Sequence, residues 1–144
     1  MSRWVTLVYK VPREPSATRV YDWRKLKTLG AISLQDAVWV LPETPRTKEQ
    51  FQWLAAEISE LGGEVTFWAS ELLYATNEEA LRGQFTNHVD TGYAEVLAAL
   101  KAKNTDLAAL SLRYQQLQSQ DYFQSKLGHK VRQALVAARG GKRR

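Results

Sequence analysis

The chain has 144 residues, 44% of them hydrophobic, no cysteine and a formal net charge of +5. That apolar content supports a real core in one domain plus an appended arm, and it excludes wholesale disorder. The lack of cysteine excludes disulfides, thiolate metal sites and thiol redox chemistry, and it suits a reducing cytoplasm.

The charge is unevenly spread. Residues 1–30 hold seven Lys/Arg against two acids, a balance of +5; residues 31–95 sum to −8 and residues 96–144 to +8. Two basic ends around an acidic middle point to a polyanion or a complementary partner, with solvated helix faces as the plainer explanation.

The first apolar run, Trp4 to Tyr9, is too short for a signal sequence or a membrane span, so a cytoplasmic protein without membrane contact is expected. Arg3 to Lys10 reads as a strand, and its nearly continuous apolar character suits a central one. Pro12 and Pro15 end it. Ser16 is positioned to cap a helix from about Ala17 to Leu29, with Val20, Trp23, Leu26 and Leu29 on its apolar side and Gly30 as its stop. Ala31–Leu34 and Ala37–Leu41 are two short strands around a Gln35-Asp36 turn. Thr47 opens a capping-box pattern, Thr-Lys-Glu-Gln, ahead of a helix bearing Phe51, Leu54, Ile58 and Leu61. Gly62-Gly63 ends that helix, and Glu64–Ser70 alternates as a half-covered strand near a sheet edge.

The order β-α-β-β-α-β predicts an α+β fold, a ferredoxin-like sandwich over residues 1–72. From Asn77 the periodicity turns helical. Gly92 is placed to break or kink the first run, and Asn104-Thr105-Asp106 to form a capped turn. Leu107, Leu110, Tyr114 and Leu117 make a short seam. A final helix spans Lys126 to Arg139. The second half thus reads as a helical hairpin plus a C-terminal helix, an arm over 73–139 packed on the sandwich, with 140–144 as a mobile basic tail.

Several runs carry a family resemblance. WVTLVYKVPREPSATRVYDWRKLKTLGAISLQDAVWVLP, then RTKEQFQWLAAEISELGGEVTFW, then the Asp-Tyr-Phe at 121–123, resemble the N-terminal domain of the chromate-resistance regulator family, ChrB. More distantly the pattern is similar to the central ferredoxin-like domain of phenylacetate-type repressors, and through it to the small nuclease of CRISPR adaptation. The resemblance implies a transcription regulator that binds promoter DNA and is relieved by chromate. It also implies a second, sensing domain, which these 144 residues are not expected to supply.

The DNA-binding candidates are Lys10, Arg13, Arg19, Arg24, Lys25 and Lys27, with Arg46 and Lys48 from the opposite loop. Several cations on one surface would neutralise phosphates and release counterions. The competing reading pairs Arg13 and Arg19 with Glu14, Asp22 or Asp36 as loop braces. No helix-turn-helix signature is present, so a recognition helix in the major groove is unsupported. A metal-dependent nuclease of this fold needs a carboxylate near the end of the first strand; Tyr9 and Lys10 stand there, and Lys repels a cation. His88 and His129 lack a partnered ligand pattern, so no metal and no catalytic residue are assigned. The five tryptophans read chiefly as core, with Trp53 and Trp68 the two expected at the surface. The expected function is a cofactor-free, non-enzymatic DNA-binding regulator acting as a homodimer. A protein-interaction module and, less favoured, the nuclease are the alternatives.

Overall fold

The computed structural model describes residues 2–11, 16–102 and 104–141. The chain divides into two compact units, residues 1–76 and 77–144.

The first unit is α+β. Its elements are β1 (Ser2–Lys10), α1 (Ser16–Thr28), β2 (Ile32–Gln35), β3 (Val38–Pro42), α2 (Pro45–Glu60) and β4 (Glu64–Leu72). The strands form one antiparallel sheet in the order β2-β3-β1-β4, the ferredoxin-like arrangement. The apolar run Trp4–Tyr9 lies between two partners, as its composition demands: Val5 is opposite Leu41 and Ala69, and Leu7 opposite Trp39 and Phe67. Val5, Leu7, Trp39 and Leu41 share a buried face and form the core with Leu26 of α1 and Phe51, Leu54 and Ile58 of α2.

Alternation in 64–70 does mark an edge strand, since β4 pairs with β1 alone. Both short strands form, and their turn holds Asp36 at φ +29°. Helix α1 stops at Gly30, where Ala31 N donates to Leu26 O at 3.1 Å. Helix α2 begins earlier than its capping pattern suggests. Thr44 is the cap and Pro45 follows it; Thr47 N donates to Thr44 Oγ1 at 3.0 Å while Thr44 N donates to Thr47 Oγ1 at 2.9 Å. The two threonines satisfy each other's amides three residues before the Thr-Lys-Glu-Gln pattern would have done so. The capping role of Ser16 falls on residues and a side chain outside those described.

The second unit is three helices: α3 (Glu78–Leu100), α4 (Leu107–Gln118) and α5 (Lys126–Gly141). Asn77 caps α3 and Asp106 caps α4. The core is Val89, Tyr93, Val96, Leu117, Val131 and Leu135. Gly92 does not break α3. It is buried within one continuous 23-residue helix, and a Cβ there would come within 2.4 Å of Leu117 Cδ2. It is small so that α4 can approach. Gly140 and Gly141 continue α5, and the rest of the expected tail, residues 142–144, lies outside the described residues. No described helix is long and apolar enough to cross a membrane.

The Asp-Tyr-Phe run is a structural hub. Asp121 accepts from the Tyr93 hydroxyl at 2.9 Å and from Ser125 N at 2.9 Å. Ser125 Oγ in turn donates to Asp90 and accepts from Leu127 N, which caps α5. Phe123 and Tyr122 meet Phe85 edge-on at 5.8 and 5.9 Å, and the Arg82 guanidinium lies 5.2 Å from the Phe123 ring.

Candidate nucleic-acid interface

Helix α1 departs from ordinary amphipathicity. It buries Asp22 and Leu26, both at 0% exposure, and turns Val20, Tyr21 and Trp23 to solvent at 44%, 45% and 50%. The expectation that Val20 and Trp23 face inward is therefore wrong. Residues 22, 26 and 29 share a stripe at the 3.6-residue period, and that stripe, not the one through 20 and 23, is the buried one. On the outer surface Arg19, Trp23 and Lys27 follow at four-residue spacing, with the Lys27 ammonium 5.7 Å from the Trp23 ring centroid.

Beside this helix lies a cleft of about 780 Å³, bounded by Tyr9, Lys10, Arg19, Val20, Trp23 and Trp39 and closed at one side by the Asp36 turn. Asp22 is buried on the same helix, near enough to Tyr9 of the cleft for its charge to act there. Neither of its carboxylate oxygens has a hydrogen-bond partner among the described residues. Burial pushes the Asp22 carboxyl above its usual range, and the negative charge of Glu57 adds to the shift. Glu57 accepts from the Tyr21 hydroxyl at 3.0 Å. Burial also raises Tyr9, helped by the Asp22 charge and opposed by Trp39 and Arg19.

The eight candidate cations do not share one patch. Lys10 and Arg19 stand at the cleft, Lys10 at the end of β1. Arg24, Lys25 and Lys27 lie exposed along α1, whose last turn holds the two lysines where they complement the helix dipole. Arg46 and Lys48 open α2, which follows the Pro42 end of β3; Pro42 pairs with Trp4 at the start of β1. Six residues of strand, roughly 20 Å at 3.4 Å per residue, separate that end from Lys10. Arg13 is outside the described residues.

Their partners differ too. Lys48 Nζ lies 3.0 Å from Glu43 Oε1, and Glu43 also binds Arg3 Nε at 2.5 Å. The Arg3 hydrogen bond and then Lys48 hold the Glu43 carboxyl below its usual value. Lys48 is thus a brace. Lys10, Arg19, Arg24, Lys25, Lys27 and Arg46 have no ion pair among the described residues. Arg19 in particular pairs with neither Asp22 nor Asp36.

Of the remaining candidates, His88 shares a 3.0 Å hydrogen bond with Gln120, and His129 is exposed on α5. Trp4 and Trp39 are core; Trp53 and Trp68 are exposed at 67% and 59%, as their positions suggested, and Trp23 joins them. Helix α5 carries Lys126, His129, Lys130, Arg132 and Arg139 with no acid, a second basic surface that charge balance signalled without locating it. The burial of Asp22 was not found from sequence, because an Asp inside a basic helix reads as solvated.

Residues 19–110, from Arg19 in α1 to Leu110 in α4, match the family described as Protein ChrB, N-terminal. The chain belongs to the ChrB N-terminal family. It is 30% identical over 105 residues to Protein ChrB of Cupriavidus metallidurans, an alignment covering 73% of this chain and 32% of that protein. The matched part is about a third of the relative's length. The ChrB N-terminal match takes in four of the cations of α1, Arg19, Arg24, Lys25 and Lys27, and begins beyond Lys10.

Proposed function

We propose that this ChrB N-terminal chain is the DNA-binding, non-enzymatic part of a chromate-resistance regulator. The observation that supports it is the set of exposed cations Lys10, Arg19, Arg24, Lys25 and Lys27, none of them neutralised by a carboxylate among the described residues. A cation already paired with an acid gains little from a phosphate, whereas an unpaired one displaces condensed counterions. The family membership favours a regulator's role, and Lys10 at the end of β1 disfavours a divalent cation there. The active species is a homodimer in this reading, with the nine-residue β4 edge, paired on one side only, available to a second copy.

The test is affinity for promoter DNA against salt. Log affinity falls linearly with log salt, and Arg19→Ala with Lys25→Ala reduces the slope by about two, since each phosphate contact contributes about 0.9. Lys48→Ala leaves the slope unchanged because Glu43 already holds it. Binding independent of salt, or an equal effect of Lys48→Ala, overturns the assignment. A protein-interaction module is the second reading, favoured by the exposed Trp53 and Trp68; it requires a tight protein partner and no duplex binding.

A further inference from the structure

The inverted face of α1 calls for a reason. A helix beside a sheet gains by burying Val20 and Trp23 and by leaving Asp22 in water; this one does the reverse. Local rules broken without compensation in the core concentrate at functional sites. Here the exposed indole of Trp23 and the side chain of Val20 border the same cleft as Lys10 and Arg19. The cleft, about 780 Å³, falls within the roughly 300–1,000 Å³ typical of ligand sites.

We infer that this cleft receives an unpaired nucleotide, its base against Trp23 and its phosphate against Lys10 and Arg19. The assignment rests on the DNA reading and narrows it. The wall is aromatic and aliphatic, which suits a flat ring; Trp23, Tyr9 and Trp39 supply it. Lys10 and Arg19 line the cleft without ion pairs among the described residues, against one acid, Asp36, which leaves a cationic balance that suits one anionic group beside the ring. A wholly apolar ligand leaves those two charges unused, and a bare oxyanion leaves the aromatic wall unused. Lys27, its ammonium 5.7 Å from the Trp23 ring centroid, adds a third cation beside that ring. Aromatic platforms alternating with cations are how proteins hold unstacked bases, each stacked base contributing about 1–3 kcal/mol. Paired bases inside a duplex cannot enter such a cleft without leaving the stack.

The experiment measures anisotropy with four probes: labelled oligothymidine, a fully paired duplex, the same duplex carrying one unpaired thymidine, and thymidine monophosphate as competitor. Single strand and bulged duplex bind more tightly than the paired duplex. Trp23→Ala weakens those two by about 5- to 150-fold, the loss of one stacked base, and leaves the paired duplex unchanged. Trp23→Phe restores most of the difference. Should Trp23→Ala fail to fold, Trp23→Leu, which keeps apolar bulk but cannot stack on a base, reads the same selectivity. Competition by the monophosphate that depends on Trp23 identifies a free nucleotide as the ligand, and its absence identifies the strand; both uphold the site. Equal loss on all probes, or no effect of Trp23→Ala with salt-dependent duplex binding intact, overturns the nucleotide site and leaves the DNA reading standing. Failure of every probe to bind overturns both.

Discussion

Replacing Asp22 with Asn tests whether the buried carboxylate of α1 is a stability liability. Asp22 is fully buried, both oxygens lack partners among the described residues and Glu57 adds a repulsive charge. A buried acid in that position either stays ionised without solvation or takes up a proton. If it is protonated at pH 7, the cost is 1.36 kcal/mol for each pH unit above its ordinary value near 3.9, hence at most about 4 kcal/mol. The general cost of an unsatisfied buried polar group, about 1–3 kcal/mol, lies inside that bound. Asn keeps the shape and removes the ionisation. The sign follows from linkage: the folded state binds this proton more tightly than the unfolded state. The parent's deficit is therefore absent below the ordinary Asp value and grows as pH rises through the raised one. Urea titration followed by circular dichroism, at several pH values from 4 to 7, should give Asp22→Asn an advantage of about 1–3 kcal/mol at pH 7 that closes towards pH 4. A variant less stable than the parent at pH 7, or an advantage that does not change with pH, refutes the assignment of an unpartnered carboxylate.

Gly128→Ala places a Cβ 2.7 Å from Tyr93 Cε2, against a ring that is buried and tied to Asp121, so calorimetry should show a loss of about 1–3 kcal/mol. Gly83→Ala, with nothing within 4 Å and inside α3, should instead gain roughly 0.5–1 kcal/mol in the same scan. Tyr93→Phe removes the hydrogen bond to Asp121 and should cost about 1.5–3 kcal/mol near neutral pH. Burial and Asp121 push the Tyr93 hydroxyl well above its ordinary value near 10, so the parent loses stability as pH climbs beyond that value; in alkaline melts the variant should close the gap. Glu43→Gln should flatten the loss of stability in acid, because a carboxyl held low by Arg3 and Lys48 gives its support above the ordinary Glu value and loses it as pH falls.

The sandwich was legible because its signals are local and redundant. A continuous apolar run is what a strand with two neighbours requires, and an alternating one is what an edge strand requires; β1 and β4 follow both rules. The termini of elements were less legible. The Thr44–Thr47 pair competes with Thr-Lys-Glu-Gln for the start of α2 and wins because Pro45 fits the first helical position without an amide to satisfy. Gly92 looked like punctuation, and only the packed position of Leu117 shows that its missing side chain makes room.

The candidate site was legible as charge and illegible as geometry. Composition located basic residues between the first strand and the end of the first helix, and the structure leaves five of them unpaired among the described residues. Which of the eight share a surface depends on strand register, which places Arg46 and Lys48 at the far end of the sheet from Lys10. Which side of α1 is buried depends on how the helix is rotated against the sheet. Hydrophobicity alone selects Val20 and Trp23; packing selects Asp22 and Leu26. Strand order and class follow from patterns a few residues long, each backed by its own free energy. A cleft is an agreement between distant segments, and only the folded chain, by setting Tyr9, Trp23 and Trp39 around one space, decides that it exists.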